Sequence, residues 1–97
     1  MRIDVTGKHV DLTPAIVRYA EEKCERLSKF FDGLQQVRCV LDKEHNGFRV
    51  EVIADVVGRD DFVVHVDGAD VYACIDQAVD KCSRLLKDHK EKLRDHR

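Results

Sequence analysis

VRCVLDKEHNGFRVEVIADVVGRDDFVVHV, residues 37–66, decides the fold. Apolar residues recur at every second position: Val37, Cys39 and Leu41; then Phe48, Val50, Val52, Ala54 and Val56; then Phe62, Val64 and Val66. A period of two marks strands that bury one face. The runs predict strands over Val37–Lys43 and Phe48–Val57, with a third opening at Phe62. Glu44-His45-Asn46-Gly47 separates the first two, and Asn-Gly is the strongest short hairpin signal. Gly58-Arg59-Asp60-Asp61 turns the chain again. The segment therefore reads as an antiparallel meander.

Upstream, Arg2 to Thr6 alternates with Ile3 and Val5 on one face, a fourth short strand. Thr13-Pro14 opens a helix, the Thr13 hydroxyl capping a backbone N–H and Pro14 taking the first helical position. Ile16, Ala20, Cys24 and Leu27 form its apolar stripe, and Asp32-Gly33 stops it after about Phe31. Downstream, Asp70 caps a helix predicted to run to Arg97. At about 100° per residue, Ile75, Ala78, Val79, Cys82, Leu86, His89 and Leu93 fall on one stripe. The order is β-α-β-β-β-α, an α+β fold. A four-stranded, mostly antiparallel sheet with two helices packed on one face buries every one of these sets. A ferredoxin-like βαββαβ arrangement needs a strand after Leu86, and none is there.

Ninety-seven residues make one domain, 1–97, whose core buries roughly 60–65% of the unfolded surface. One proline and five glycines leave no linker or low-complexity tract. No apolar run reaches the roughly 20 residues of a membrane span, and the amino terminus has no signal-peptide core, so a cytoplasmic protein is expected. The four cysteines sit at core positions without CxxC or CxxH spacing, which favours reduced thiols over disulfides or structural zinc. The five histidines (His9, His45, His65, His89 and His96) lack partners at ligand or triad spacing. There is no glycine-rich phosphate loop, carboxylate pair or nucleophile-base set, so neither enzyme activity, a cofactor, a metal nor a small-molecule substrate is expected.

Charge is unevenly spread. Residues 40–70 hold eight acids against three bases, whereas residues 71–97 hold seven Lys/Arg against five acids, in a chain of net charge −2. The last helix thus carries Lys81, Arg84, Lys87, Lys90 and Lys92 away from its apolar stripe, a candidate phosphate-binding edge. On the first helix Tyr19, Lys23, Arg26 and Phe30 share a flank, with Lys29 beyond them. Cations interleaved with aromatic rings suit an RNA-contacting edge; the same pattern also serves a core rim, with Lys23 and Arg26 lying over the rings.

Several motifs, in this order and at these spacings, resemble the ribosome hibernation promoting factor family. They are Thr6-Gly7, Leu12-Thr13-Pro14-Ala15-Ile16, the run from Glu22 to Lys29, Asn46-Gly47-Phe48, Asp70 to Asp76, and Asp80 to Lys90. That family includes ribosome-associated inhibitor A and was once called the sigma-54 modulation proteins. The resemblance covers essentially the whole chain and implies the same β-α-β-β-β-α fold. It implies a stress-linked, non-enzymatic protein that binds the small ribosomal subunit, occludes the channel for messenger and transfer RNA, and inhibits translation. The contacts would run from Lys23, Arg26, Lys29, Lys81, Arg84, Lys87, Lys90 and Lys92 to ribosomal RNA phosphates. Long members add a carboxy-terminal domain that pairs ribosomes; this chain resembles the short type without it.

Two departures from the family pattern stand out. The chain is more acidic than is usual, and Asp88 stands where a lysine is common. Asp88 is four residues from both Arg84 and Lys92 and could hold both in weak surface pairs, so Asp88→Lys is expected to tighten ribosome binding. The alternative function is a protein-interaction module that keeps the fold but has lost the ribosome. It would use the acidic strands or the open sheet face, where Val40, Ile53, Val57 and Val63 point outward, a patch also suited to weak self-association.

Overall fold

The computed structural model describes residues 1–95. The expected continuation of the last helix to Arg97, and with it His96, lies outside the described residues. The elements are β1 (Arg2–Lys8), α1 (Pro14–Glu25), a 3-10 turn (Arg26–Lys29), β2 (Leu34–Glu44), β3 (Gly47–Val56), β4 (Phe62–Gly68) and α2 (Val71–Asp95). The sheet order is β1-β2-β3-β4. β1 runs parallel to β2, with Ile3 beside Val37 and Val5 beside Cys39, because the α1 crossover returns the chain in the same direction. The two later pairs are antiparallel. The β-α-β-β-β-α order and the mostly antiparallel sheet are those expected from the sequence.

Both helices cover one face. Val37, Cys39, Leu41, Val50, Val52 and Ala54 are fully buried beneath Ala20, Cys24 and Leu27 of the first helical segment and Ile75, Ala78, Cys82 and Leu86 of α2. The caps act as the sequence indicates: Thr13 Oγ1 accepts from the Ile16 N–H at 3.2 Å and Asp70 Oδ1 from the Tyr72 N–H at 2.9 Å. All four cysteines are free and buried. Burial pushes the Cys82 thiol up to about 12. The contact with Cys39 and burial push Cys24 above the ordinary thiol range, so these groups are packing elements held in the protonated form.

Several details differ from the sequence reading: β1 runs on to Lys8 and β2 starts at Leu34, three residues before the expected Val37. The α-helical part of α1 ends at Glu25 and tightens into the 3-10 turn rather than running to Phe31; Ser28 Oγ donates to the Glu25 carbonyl at 2.9 Å, a local bond that competes with the α ladder. The first hairpin turns on His45-Asn46, and Gly47 already belongs to β3, paired with Glu44. Gly47 has no positive φ. It is glycine because a Cβ there would run into the Gly68 carbonyl, 2.9 Å from its carbon. Leu93, assigned to the buried stripe, is 53% exposed. A helix of 25 residues is about 37 Å long, whereas the seven residues of β4 span about 23 Å, so the end of α2 overruns the sheet. His89 marks the margin: half-buried, its ring packs edge-on against Phe31 and Phe62 at 4.9 and 5.6 Å between centroids.

Candidate nucleic-acid interface

Where α1 and α2 lie side by side, one carboxylate joins them. Asp76 on α2 accepts a 2.7 Å hydrogen bond from the Tyr19 hydroxyl and sits 3.2 Å from the Lys23 ammonium. Tyr19 also meets Tyr72 edge-on, with ring centroids 5.0 Å apart, and Lys23 Nζ lies 5.4 Å from the Tyr19 centroid. Partial burial raises the Asp76 pKa, but the Tyr19 hydroxyl and Lys23 outweigh it, leaving the carboxyl below its ordinary value. The bond to Asp76, aided by burial, raises the Tyr19 phenol. This latch fixes which flank of α2 faces α1.

Further along the same groove, Lys87 Nζ sits 4.6 Å from the Phe30 ring centroid, a cation-π contact across the helix pair. Lys87 is eleven residues from Asp76 and so about 20° from it around the helix. Lys90 follows within the same flank, and Arg26 faces the groove from the 3-10 turn, one turn after Lys23. Tyr19 and Phe30 are half-buried against the core, so the rings do complete its rim while the cations lie over them. Arg26, Lys29, Lys87 and Lys90 are exposed, and none has a carboxylate within 4 Å among the described residues. The groove is therefore closed by an acid at the Asp76 end and open to anions at the Phe30 end.

The other cations predicted from the sequence lie elsewhere on α2. Arg84 is held by Asp80 at 2.8 Å, one turn earlier, and not by Asp88. Lys81 and Lys92 are about 140° and 160° from Asp76, on the flank towards β4. There Lys92 and Asp88 line a cavity of about 90 Å³ with Arg59, Phe62, Leu85 and His89. The Arg59 guanidinium stacks on Phe62 at 3.8 Å. The eight cations thus divide: Lys23, Arg26, Lys87 and Lys90 flank one groove, with Lys29 at its end; Arg84 is on the crest; Lys81 and Lys92 are behind it. Asp76 and Tyr72, which organise the groove, lie in the motif at residues 70–76 that carries the family resemblance, but neither is among the site residues expected from the sequence. Among the described residues no group of His, Cys, Asp or Glu is arranged to hold a metal, and no helix is long and apolar enough to cross a membrane.

A four-stranded sheet bearing two helices on one face has counterparts among known proteins. Residues 3–94 match the family described as Sigma 54 modulation protein / S30EA ribosomal protein, and the chain belongs to it. Its relatives include the ribosome hibernation promoting factor of Klebsiella oxytoca, 37% identical over 99% of this chain and 100% of that protein. The factor of the same name from Escherichia coli K12 is 34% identical over 99% and 100%. Among solved structures, the Protein Y N-terminal domain of Thermus thermophilus superposes with a TM-score of 0.83 at 33% identity, over 92% of this chain and 99% of that one. A ribosomal subunit interface protein from Coxiella burnetii has the same fold, with a TM-score of 0.83 at 21% identity over 94% and 99%.

Proposed function

We propose that this chain is a cytoplasmic ribosome hibernation factor that binds the small ribosomal subunit as a single domain. It inhibits translation by occupying the channel used by messenger and transfer RNA, and it is not an enzyme. The observation that carries the reading is the run of exposed cations at the Phe30 end of the α1–α2 groove, without a carboxylate within 4 Å among the described residues, in a chain whose full-length relatives are named hibernation promoting factors. Arg26, Lys29, Lys87 and Lys90 meet ribosomal RNA phosphates first. Lys23 joins them when a phosphate replaces Asp76, and Arg84 when one replaces Asp80. Lys81 and Lys92, on the far flank, contribute less. Phosphate contacts of this kind position a protein rather than read sequence, and their affinity is summed over several cations.

Cosedimentation with purified small subunits over a salt series tests this. Saturable binding that weakens steeply with salt, and fails in an Arg26/Lys87/Lys90 triple-alanine variant, is expected. Absence of binding at low salt sinks the ribosome reading.

A further inference from the structure

The sheet face away from the helices is uncovered, and its charges are sorted. Each arginine on it is already engaged: Arg2 by Asp4 at 3.2 Å, Arg38 by Asp61 at 3.7 Å, and Arg49 by Asp67 at 3.6 Å and Glu44 at 3.8 Å. Asp4 also accepts from Gln36 at 2.9 Å, and Asp42 is bonded to His9 at 3.1 Å. Glu51 and Asp55, on β3 in the interior of the sheet, have no cation within 4 Å among the described residues. They stand two residues to either side of Ile53, which pairs laterally with Val63 of β4. Val57 and Val63 are 57% and 55% exposed. Ile53 itself is only 9% exposed, so the apolar surface offered is Val63 beside it and Val57 beyond Asp55. Glu51 shares a shallow pocket with Lys8 and Arg49, neither within ion-pair distance of it, and the two carboxylates stand about 13 Å apart along the strand.

We infer that this sheet face is a docking surface for a basic, extended protein segment: one carrying two Lys or Arg side chains four residues apart, with an apolar residue between them. Four strand residues span the same 13 Å as Glu51 to Asp55, and the central apolar side chain lands on Val63 beside Ile53. Charge selects the occupant. RNA and anionic lipid are repelled by the surplus carboxylates, and a second copy of this chain would bring that surplus against itself. A basic polypeptide gains two ion pairs and covers the valines together. The surface lies opposite the helix groove, so one molecule can hold RNA on one side and a basic protein tail on the other. This extends the proposed function without depending on it, since the peptide test uses no ribosome.

The probe is a nine-residue peptide alternating threonine with valine, lysine, valine, lysine and valine on its other face. Its control has both lysines replaced by glutamate. In nuclear magnetic resonance titrations of the full chain, saturable shifts are expected at Glu51, Ile53, Asp55, Val57 and Val63 with the lysine peptide and none with the control. Glu51→Gln with Asp55→Asn should weaken binding at least tenfold, and Val63→Thr severalfold, with the unfolding midpoint little changed because all three positions face outward. Shifts confined to the helices, no saturable binding at low salt, or equal binding by the neutralised variant would each overturn the assignment. So would an RNA oligonucleotide that perturbs the same strand residues.

Discussion

The two flanks of α2 carry similar numbers of cations and differ in what surrounds them. Towards α1, Lys87 rests on the Phe30 ring and Lys23 on Tyr19; Asp76 lies at one end of the groove, and Asp80, one turn on, is taken up by Arg84. Towards β4, Lys92 shares its cavity with Asp88, and Arg59 is spent on Phe62. A phosphate responds to the local sum of charges within a Debye length of roughly 8–10 Å, with close partners dominating. The lesson is that counting lysines along a helix locates a charged element, while the neighbouring element decides which side of it is an anion site.

The sharpest way to break this contrast is to empty each flank in turn. Alanine at Arg26, Lys87 and Lys90 should lower small-subunit affinity on the order of 100-fold near physiological salt, and flatten the salt dependence by two to three phosphate contacts (an order-of-magnitude expectation). Alanine at Lys81 and Lys92 should cost roughly threefold or less. Equal losses measured by cosedimentation would mean that both flanks touch RNA.

Asp76→Asn sharpens the comparison from the other side. Freed of its carboxylate, Lys23 becomes available, and binding should tighten by roughly three- to fivefold. The fold should lose about 1 kcal/mol in urea unfolding, the ordinary scale for one hydrogen bond to a charged, half-exposed group after solvent screening. The pH dependence has a definite sign. Because the Asp76 pKa is lowered in the folded state, its contribution is present above the ordinary carboxylate pKa of about 3.9 and is lost as pH falls below it. The Tyr19 pKa is raised, so its contribution holds below about 10 and is lost as pH rises beyond that. Wild type minus Asp76→Asn stability should therefore be flat between these limits and shrink outside them. Tyr19→Phe should remove the alkaline limb and shrink the acid one, since its hydroxyl is one of the groups that hold the Asp76 pKa down.

Asp88→Lys gives the smallest expected change. The sequence places Asp88 between Arg84 and Lys92, where it could restrain both; in the fold Arg84 has turned to Asp80, and Asp88 stands on the β4 flank. The substitution should shift small-subunit affinity less than threefold. A tenfold gain would move the interface to that side.

The fold was legible because its signals are local. Alternation over residues 37–66, Thr13-Pro14 and Asp70 each act through neighbours in the chain. Gly47 marked the right hairpin for another reason, since its missing side chain makes room for Gly68, 21 residues later. Leu93 was misplaced because a helical wheel records direction and not how far the sheet extends beneath it. The site was only half legible. Spacing put Tyr19, Lys23, Arg26 and Phe30 on one flank, but Asp76 reaches Tyr19 across 57 residues of sequence, and no periodicity within α2 says where α1 will lie.

The overhang of α2 has one more consequence. From Lys90 onward the helix has lost the sheet, and short isolated helical ends in water are marginal. Amide hydrogens there should exchange with solvent orders of magnitude faster than those of Ile75 or Cys82, although all belong to one helix. Capture of a phosphate by Lys90 would slow that exchange locally. The tip of α2 then serves as a built-in reporter, whose deuterium uptake registers occupancy while the core beneath stays silent.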